Sequence, residues 1–556
     1  MLSNRARLTL ALAAFCAVLV VVPLAVKRDQ PPLPESAAVT AALENELVAE
    51  FVERWGYDHA RVVGLDHELT RVTLFRGSRI VANVAVRPDG HAAGIRLFRP
   101  RGPVYGSRLS EGLALVALFT AVGGLMLLTL PLRSLRNVDV LALLALAVPI
   151  VAGYHRLFEL SVYALYPPLL WLAARCAWRA LGPGTGPDER PSLYERLTSS
   201  WGPRRQRRML AIIAGAAALA LTGIAVSSPG AIDVGFASVQ GATSLLNGSL
   251  PYGSLTDVLH GDTYPLLNYA LYIPGALLLP VRDAFDDSTG ALIVAAVAAL
   301  AAAAALAHAG TAAAGPTAGW RLAIAWLCFP PVVAGAAAGS NDLPLAALVA
   351  FALAAAATRP AAVGYALAIG AWVKVAPLAV LPAWLIGLRG EDRRRALAAV
   401  ALTTGVGVAW LIALGGVGSI GAMLDGIAFQ LRRGTLQSAW ALTGADGVQR
   451  ALQGALAALV VLLALRARED PSLARNPGWL AASTGAILAG LQITANNASV
   501  IYATWAFPAV ALALLVPQLS PSPLRARTAA RPDRARAPRR GPRRAAPAGR
   551  APLPSP

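Results

Sequence analysis

Apolar runs of about 17–22 residues recur along most of the chain, each long enough to cross a bilayer as a helix. Such runs leave little structural choice. Inside hydrocarbon every backbone N–H and C=O must be satisfied by the segment itself or by neighbouring protein, so helices become the default element. At 56% hydrophobic and 14% charged residues, with a mean hydropathy of +0.56, the composition excludes an ordinary soluble protein. The pattern predicts an all-α polytopic membrane protein of about 13–14 spans, with a small α+β extracytoplasmic domain near the N-terminus.

Charge supplies the topology. The chain carries a net charge of +19, but the excess is not spread as a nucleic-acid-binding face would be. Ten arginines lie between Arg525 and Arg550 against one acid, Asp533. This Pro-, Ala- and Arg-rich tail has no apolar periodicity and no aromatic residue for base stacking, so contact with anionic lipid headgroups fits it and nucleic acid does not. The remaining basic clusters lie between apolar runs, which is the positive-inside signal. Arg204, Arg205, Arg207 and Arg208, the Arg389–Arg395 run, the Arg466–Arg475 run and the tail all fall on the cytoplasmic side in one parity count. Lysine is nearly absent, with only Lys27 and Lys374, and the Ala, Gly, Pro and Arg content suggests the plasma membrane of a bacterium with a GC-rich genome. Cys16, Cys176 and Cys328 have neither metal-ligand spacing nor a disulfide framework and read as packing residues.

Five regions follow: an uncleaved membrane anchor at 1–27 with its N-terminus inside, a soluble domain at 28–107, accessory spans and a basic loop at 108–205, a core at 206–519, and the tail at 520–556. In the second region Ser36 is placed to cap a helix running to Trp55. Val39, Leu43, Leu47, Phe51 and Trp55 give that helix one apolar face. RVTLF, RIVANVAV and AGIRLF alternate as strands, separated by Arg-Gly-Ser and Pro-Asp-Gly turns. Asp66, His67 and Glu68 have metal-ligand chemistry, but adjacent strand residues alternate faces, which favours a solvated edge. Accessory spans are expected near 111–132, 138–155 and 157–178, and the first core span near 209–229.

Parity puts the polar loop Ile232 to Pro265 on the extracytoplasmic side. It opens with Asp233 and closes with His260 and Asp262. Two readings of the middle remain. Either 264–281 crosses the bilayer and 364–388 is one span, or 264–281 packs at the outer surface and 364–388 is a pair of short helices broken near Lys374 and Pro377. The second is preferred, because a lysine in midspan is costly unless it lines a cavity. It also puts Asn341, Asp342 and Lys374 on the same side as Asp233.

IDVGFASVQGATSLLNGSLPYG resembles the first extracytoplasmic loop of GT-C membrane glycosyltransferases. More narrowly it resembles the family-87 mannosyl- and arabinosyltransferases that use polyprenyl-phosphate sugars. GDTYPLLNYALYIP, GSNDLPLAALVAFAL, AIGAWVKVAPLAVLP, LQSAWAL and IYATWAFP follow in the family's order. The resemblance covers about 209–517 and makes the preceding region an added module.

The resemblance implies a GT-C-like fold and sugar transfer from a polyprenyl-phosphate-sugar donor to an extracytoplasmic glycan or glycolipid acceptor, usually with inversion. Such a displacement needs a base for the acceptor hydroxyl, and Asp233 is the candidate, with helix capping as the plainer role. His260 and Asp262 are spaced to share a site for acceptor or metal. No cofactor is required by the sequence, and a divalent metal is left open. Tyr252, Tyr264 and Tyr269 offer either sugar-stacking surfaces or an interfacial aromatic belt. The departing lipid phosphate gains charge, and Lys374, Arg432 and Arg433 are the cations available to it. Asn341 and Asp342 belong to the site or cap a helix. Asn496, Asn497, Tyr502 and Trp505 mark the acceptor side. With no Walker loop or dinucleotide fingerprint, a nucleotide sugar is disfavoured. Two other functions compete: a lipid-linked-sugar or polymer transporter without transfer chemistry, and an envelope sensor or scaffold working through the 28–107 domain.

Overall fold

The structure is a computed structural model that describes residues 33–64, 69–77, 79–97, 109–130, 134–155, 157–182, 192–228, 231–255, 261–279, 289–433 and 435–516. The anchor at 1–27, Asp66 to Glu68, His260 and the tail lie outside the described residues.

Two helices open the chain, α1 (Glu35–Leu43) and α2 (Glu46–Trp55). Asn45 separates them, its side chain accepting from the N–H groups of Leu47 and Val48 at the start of α2. The expected single helix capped by Ser36 is therefore two, and Ser36 lies inside α1. The break turns the second helix out of phase with the first. Ala38, Ala42, Val48 and Phe51 are buried, while Leu47, which belonged to the expected stripe, is 60% exposed. Four strands follow as an antiparallel meander: β1 (His59–Gly64), β2 (Thr70–Arg76), β3 (Arg79–Val86) and β4 (Ala92–Leu97). β1 adds to the three strands expected. Val62, Val72, Val84 and Ile95 stand opposite one another on the helix-covered face. Gly90 turns β3 into β4 with a φ of 83°, which favours glycine.

The helical body begins with α3 (Leu109–Leu127), α4 (Leu135–Ala145), α5 (Ala147–Tyr154), α6 (Phe158–Tyr163), α7 (Tyr166–Leu181), α8 (Leu193–Leu197) and α9 (Pro203–Val226). It continues with α10 (Asp233–Leu246), α11 (Leu266–Ala270), α12 (Ile273–Leu278), α13 (Thr289–Ala314), α14 (Pro316–Leu327) and α15 (Pro330–Ala337). Then come α16 (Asp342–Ala355), α17 (Pro360–Val373), α18 (Leu381–Ile386), α19 (Gly390–Gly415), α20 (Gly418–Arg432), α21 (Ala439–Thr443), α22 (Asp446–Glu469), α23 (Pro477–Thr494) and α24 (Ala503–Leu515).

Among the described residues, five helical segments are long and apolar enough to cross a membrane: Leu135–Tyr154, α9, α13, α19 and α22. The bent pair α14–α15, with 53° between its halves, makes a sixth if counted as one span. That is fewer than the 13–14 expected, and the reason is local. Proline heads α14, α15 and α17, and Gly339 turns the chain ahead of α16 with a φ of 60°. Apolar runs that look continuous in sequence are thereby cut into shorter helices. The expected span at 157–178 is divided between α6 and α7, whose first turn carries Pro167 and Pro168. Cys176 and Cys328 are buried free thiols, as expected of packing residues.

Of the two readings of the middle, the structure has the broken one. α17 stops at Val373, Lys374 is extended (φ −148°, ψ 139°), and a 3₁₀ turn at Ala376–Ala379 precedes α18. Residues 266–278 form α11 and α12, short of the roughly 20 residues a crossing requires.

Candidate functional site

α16 and α17 are antiparallel neighbours of 14 residues each, so each is roughly 21 Å long. The start of one and the end of the other meet inside the protein, at Asp342 and Lys374. Both side chains are almost wholly buried. The Lys374 ammonium donates to Asp342 Oδ1. Trp505 donates its indole N–H to the same oxygen at 2.7 Å, and the Ser340 hydroxyl donates to Oδ2 at 2.5 Å. Burying two charges is costly unless they are paired and hydrogen-bonded, and Asp342 meets that condition with three donors. Three rings enclose the ammonium: Tyr502, Trp505 and Tyr264, with Nζ at 5.0, 5.2 and 5.6 Å from their centroids. Tyr502 and Trp505 are stacked on each other at 4.6 Å. These are cation–π distances.

Asp233 is brought toward this pair on a different segment. It is the first residue of α10 and is exposed. The Ile232 N–H donates to the Ala338 carbonyl at 2.8 Å, and the Ser228 hydroxyl donates to the Ala337 carbonyl at 2.5 Å. Gly235 packs so closely that a Cβ there would sit 2.4 Å from the Gly339 carbonyl oxygen. The start of α10 is thus docked on the turn that presents Ser340, Asn341 and Asp342. Asp233 Oδ1 accepts from the Val234 N–H at 2.9 Å, which leaves most of its lone pairs free. Asp233 and Arg433 both lie within electrostatic reach of Lys374 and Tyr264.

A buried amide relay fixes these segments to one another. Asn341 donates to Asn268 Oδ1 at 2.9 Å, Asn268 donates to Ser238 Oγ at 2.9 Å, and Ser238 donates to the Val234 carbonyl at 2.6 Å. Ser238, Asn268, Ser340 and Asn341 are fully buried. Sequence reasoning singled out Asn341 but missed Ser238, Asn268 and Ser340. Asn268 had a signal, being an amide in an otherwise apolar short helix.

Some of the other expected site residues bond within their own loop. Asp262 Oδ2 accepts from the Gly253 N–H at 2.8 Å and so closes its own loop. The Tyr269 hydroxyl donates to the Gly261 carbonyl at 2.9 Å and accepts from the Tyr264 N–H at 3.2 Å, while Tyr252 donates to the Tyr264 carbonyl at 3.2 Å. Tyr252 and Tyr269 therefore organise the loop, and only Tyr264 offers its ring to the pocket. Arg432 ends α20 and Arg433 follows it, each half-buried with an Nε that has no protein acceptor. Asn496 donates to the Leu431 carbonyl at 2.6 Å, and Asn497 donates to the Tyr502 hydroxyl at 3.2 Å. Among the described residues no three His, Cys, Asp or Glu side chains gather as metal ligands would.

Residues 263–494 match glycosyltransferase family 87. The chain carries a glycosyltransferase domain. The match takes in less than half of the chain. It covers Tyr264, Asn268, Asn341, Asp342, Lys374, Arg432 and Arg433, and it begins 30 residues after Asp233. It is narrower than the 209–517 of the sequence resemblance, and the sheet and α3–α9 lie outside it. No curated protein and no solved structure matches the chain.

Proposed function

We propose that this glycosyltransferase moves a sugar from a polyprenyl-phosphate donor to an extracytoplasmic glycan or glycolipid, with Asp233 as base. The observation that carries the reading is the convergence of Asp233, Lys374 and Arg433 from three distant segments around Tyr264. Asp342 is less suited to be the base, because its oxygens already accept from Lys374, Trp505 and Ser340. Asp233 accepts one N–H and is exposed.

The chemistry balances without a further reactant. The acceptor hydroxyl gives its proton to an Asp233 carboxylate oxygen as its own oxygen attacks the anomeric carbon. The bond from that carbon to the phosphate oxygen breaks, and the electron pair leaves with the lipid phosphate. Attack opposite the leaving group inverts the anomeric centre. Lys374 shares its charge with Asp342, so Arg433 and Arg432 supply the uncommitted positive charge for the departing phosphate. Tyr264, Tyr502 and Trp505 form an aromatic wall suited to a sugar face. Asn341 keeps a buried Oδ1 without a partner, an acceptor for a sugar hydroxyl.

The test presents purified protein with polyprenyl-phosphate mannose, polyprenyl-phosphate arabinose and the corresponding nucleotide sugars in detergent. Transfer from a lipid-phosphate donor with inverted product supports the reading. Transfer from nucleotide sugars alone, or transport of lipid-linked sugar across vesicles with no transfer, refutes it.

A further inference from the structure

The four-stranded sheet lies outside the family match, yet it is seated on the helical body. One sheet face is covered by α1 and α2. The other presents Val63, Phe75 and Ile80, which pack into the main helical core. Phe75 is fully buried, with its ring 6.2 Å from that of Phe158 at the start of α6. Arg61 stands on this same face and makes two bonds to different helices. Its Nη2 pairs with Glu159 of α6 at 2.8 Å, and its Nη1 donates to the Leu442 carbonyl of α21 at 2.8 Å. Leu442 belongs to the last turn of a five-residue helix, where carbonyls have no helical partner.

Bonds from α21 and from Gln437 just ahead of it tie this segment to α7 and to the chain around the site. The Ala439 N–H donates to the Tyr166 hydroxyl at 3.0 Å, and the Trp440 indole donates to the Ile493 carbonyl at 2.7 Å. The Ala498 N–H donates to the Gln437 carbonyl at 2.6 Å. Asn496 and Asn497, the two residues before Ala498, hold the Leu431 carbonyl beside Arg432 and the Tyr502 hydroxyl above Lys374. A five-residue helix has too little cooperativity of its own to hold these positions.

We infer that the sheet module is a positioning element for the transfer site, with Arg61 as the residue that fixes α21 and, through it, the 430–443 and 494–502 segments. The inference rests on the transferase reading. Arg61 touches no reacting atom. It acts by holding Arg432, Arg433 and Tyr502 in register.

The test uses the full chain purified in detergent as wild type, Arg61→Ala and Arg61→Lys, with hydrogen exchange and transfer kinetics measured on each. In Arg61→Ala, exchange rises at 437–443 and 494–502 while 79–97 keeps its protection, so the sheet is still folded. Turnover falls roughly tenfold or more, as expected for a small misplacement of groups at a reacting centre, with donor KM little changed. Arg61→Lys keeps the pair with Glu159 and recovers part of the turnover. Unchanged exchange at 437–443 in Arg61→Ala overturns the inference, as does raised exchange with unchanged turnover. A wild type that transfers no sugar defeats the transferase reading separately, and the holding role of Arg61 is then decided by exchange alone.

Discussion

Asp342 and Lys374 make a sharp energetic prediction because each is buried for the other. In Asp342→Asn the ammonium keeps its three rings but loses its carboxylate, and an uncompensated buried charge costs about 3–5 kcal/mol. Lys374→Met falls at the lower end of the same range, about 3 kcal/mol, because Asp342 retains its bonds from Trp505 and Ser340. In the double variant both charges are gone and the volumes are nearly kept. Replacing a buried pair by neutral groups is often close to neutral, so the double variant lies within about 1 kcal/mol of wild type. The coupling in the cycle is then several kcal/mol, well above the few tenths seen between independent sites. The assay is denaturant unfolding in mixed micelles, followed by intrinsic tryptophan fluorescence, for all four proteins. A double variant as unstable as the two singles combined would refute the reasoning, since the two groups would then not be sustaining each other.

Three further outcomes follow from the geometry. Gly235→Ala forces a Cβ to within 2.4 Å of the Gly339 carbonyl oxygen, so it should cost about 1–3 kcal/mol and lower turnover by displacing Asp233, as read by unfolding and transfer assays side by side. Asp58 accepts from the Gly77 N–H at 2.5 Å and contacts His59, and the Gly77 bond chiefly holds its carboxyl below the ordinary 3.8. A lowered folded value stabilises above the unfolded one and is lost as pH falls. Asp58→Asn should therefore speed exchange at 58–77 near neutral pH, with the gap to wild type closing as pH drops below 3.8. Ser254 is exposed in the loop after α10, so Ser254→Cys, made with Cys16 replaced, should label with an impermeant thiol reagent in intact cells. Protection there would reverse the topology.

What the sequence revealed and what it hid divide along physical lines. Periodicity found β2, β3 and β4 because their apolar residues alternate. It missed β1, where HARVVG puts both of its polar residues, His59 and Arg61, on one face and leaves the other with only Ala60, Val62 and Gly64. The cost of a midspan lysine pointed correctly to a break at Lys374, since burial of a charge is legible from residue type alone. Its ion pair with Asp342 was not legible, because the two lie 32 residues apart and meet only through the antiparallel packing of α16 and α17. The same limit applies to Asn268 and Ser340, whose roles depend on partners that composition does not name. The bond from the Gly253 N–H to Asp262 was not legible either, because an acid in a polar loop looks the same whether it faces a substrate or a neighbouring N–H. Among the described residues fewer helices are long enough to cross than the apolar runs suggested, because hydropathy does not register that prolines cut such runs into shorter helices.

The central claim is that Asp233 takes the acceptor proton. The most direct measurement compares wild type with Asp233→Asn for transfer of labelled sugar from a polyprenyl-phosphate donor, alongside donor binding. The proposal predicts a turnover loss of about 10²–10⁴-fold with donor affinity kept, because the amide preserves the shape of the side chain but cannot accept the proton. Turnover within about threefold of wild type would contradict it, since removing a general base costs far more than that.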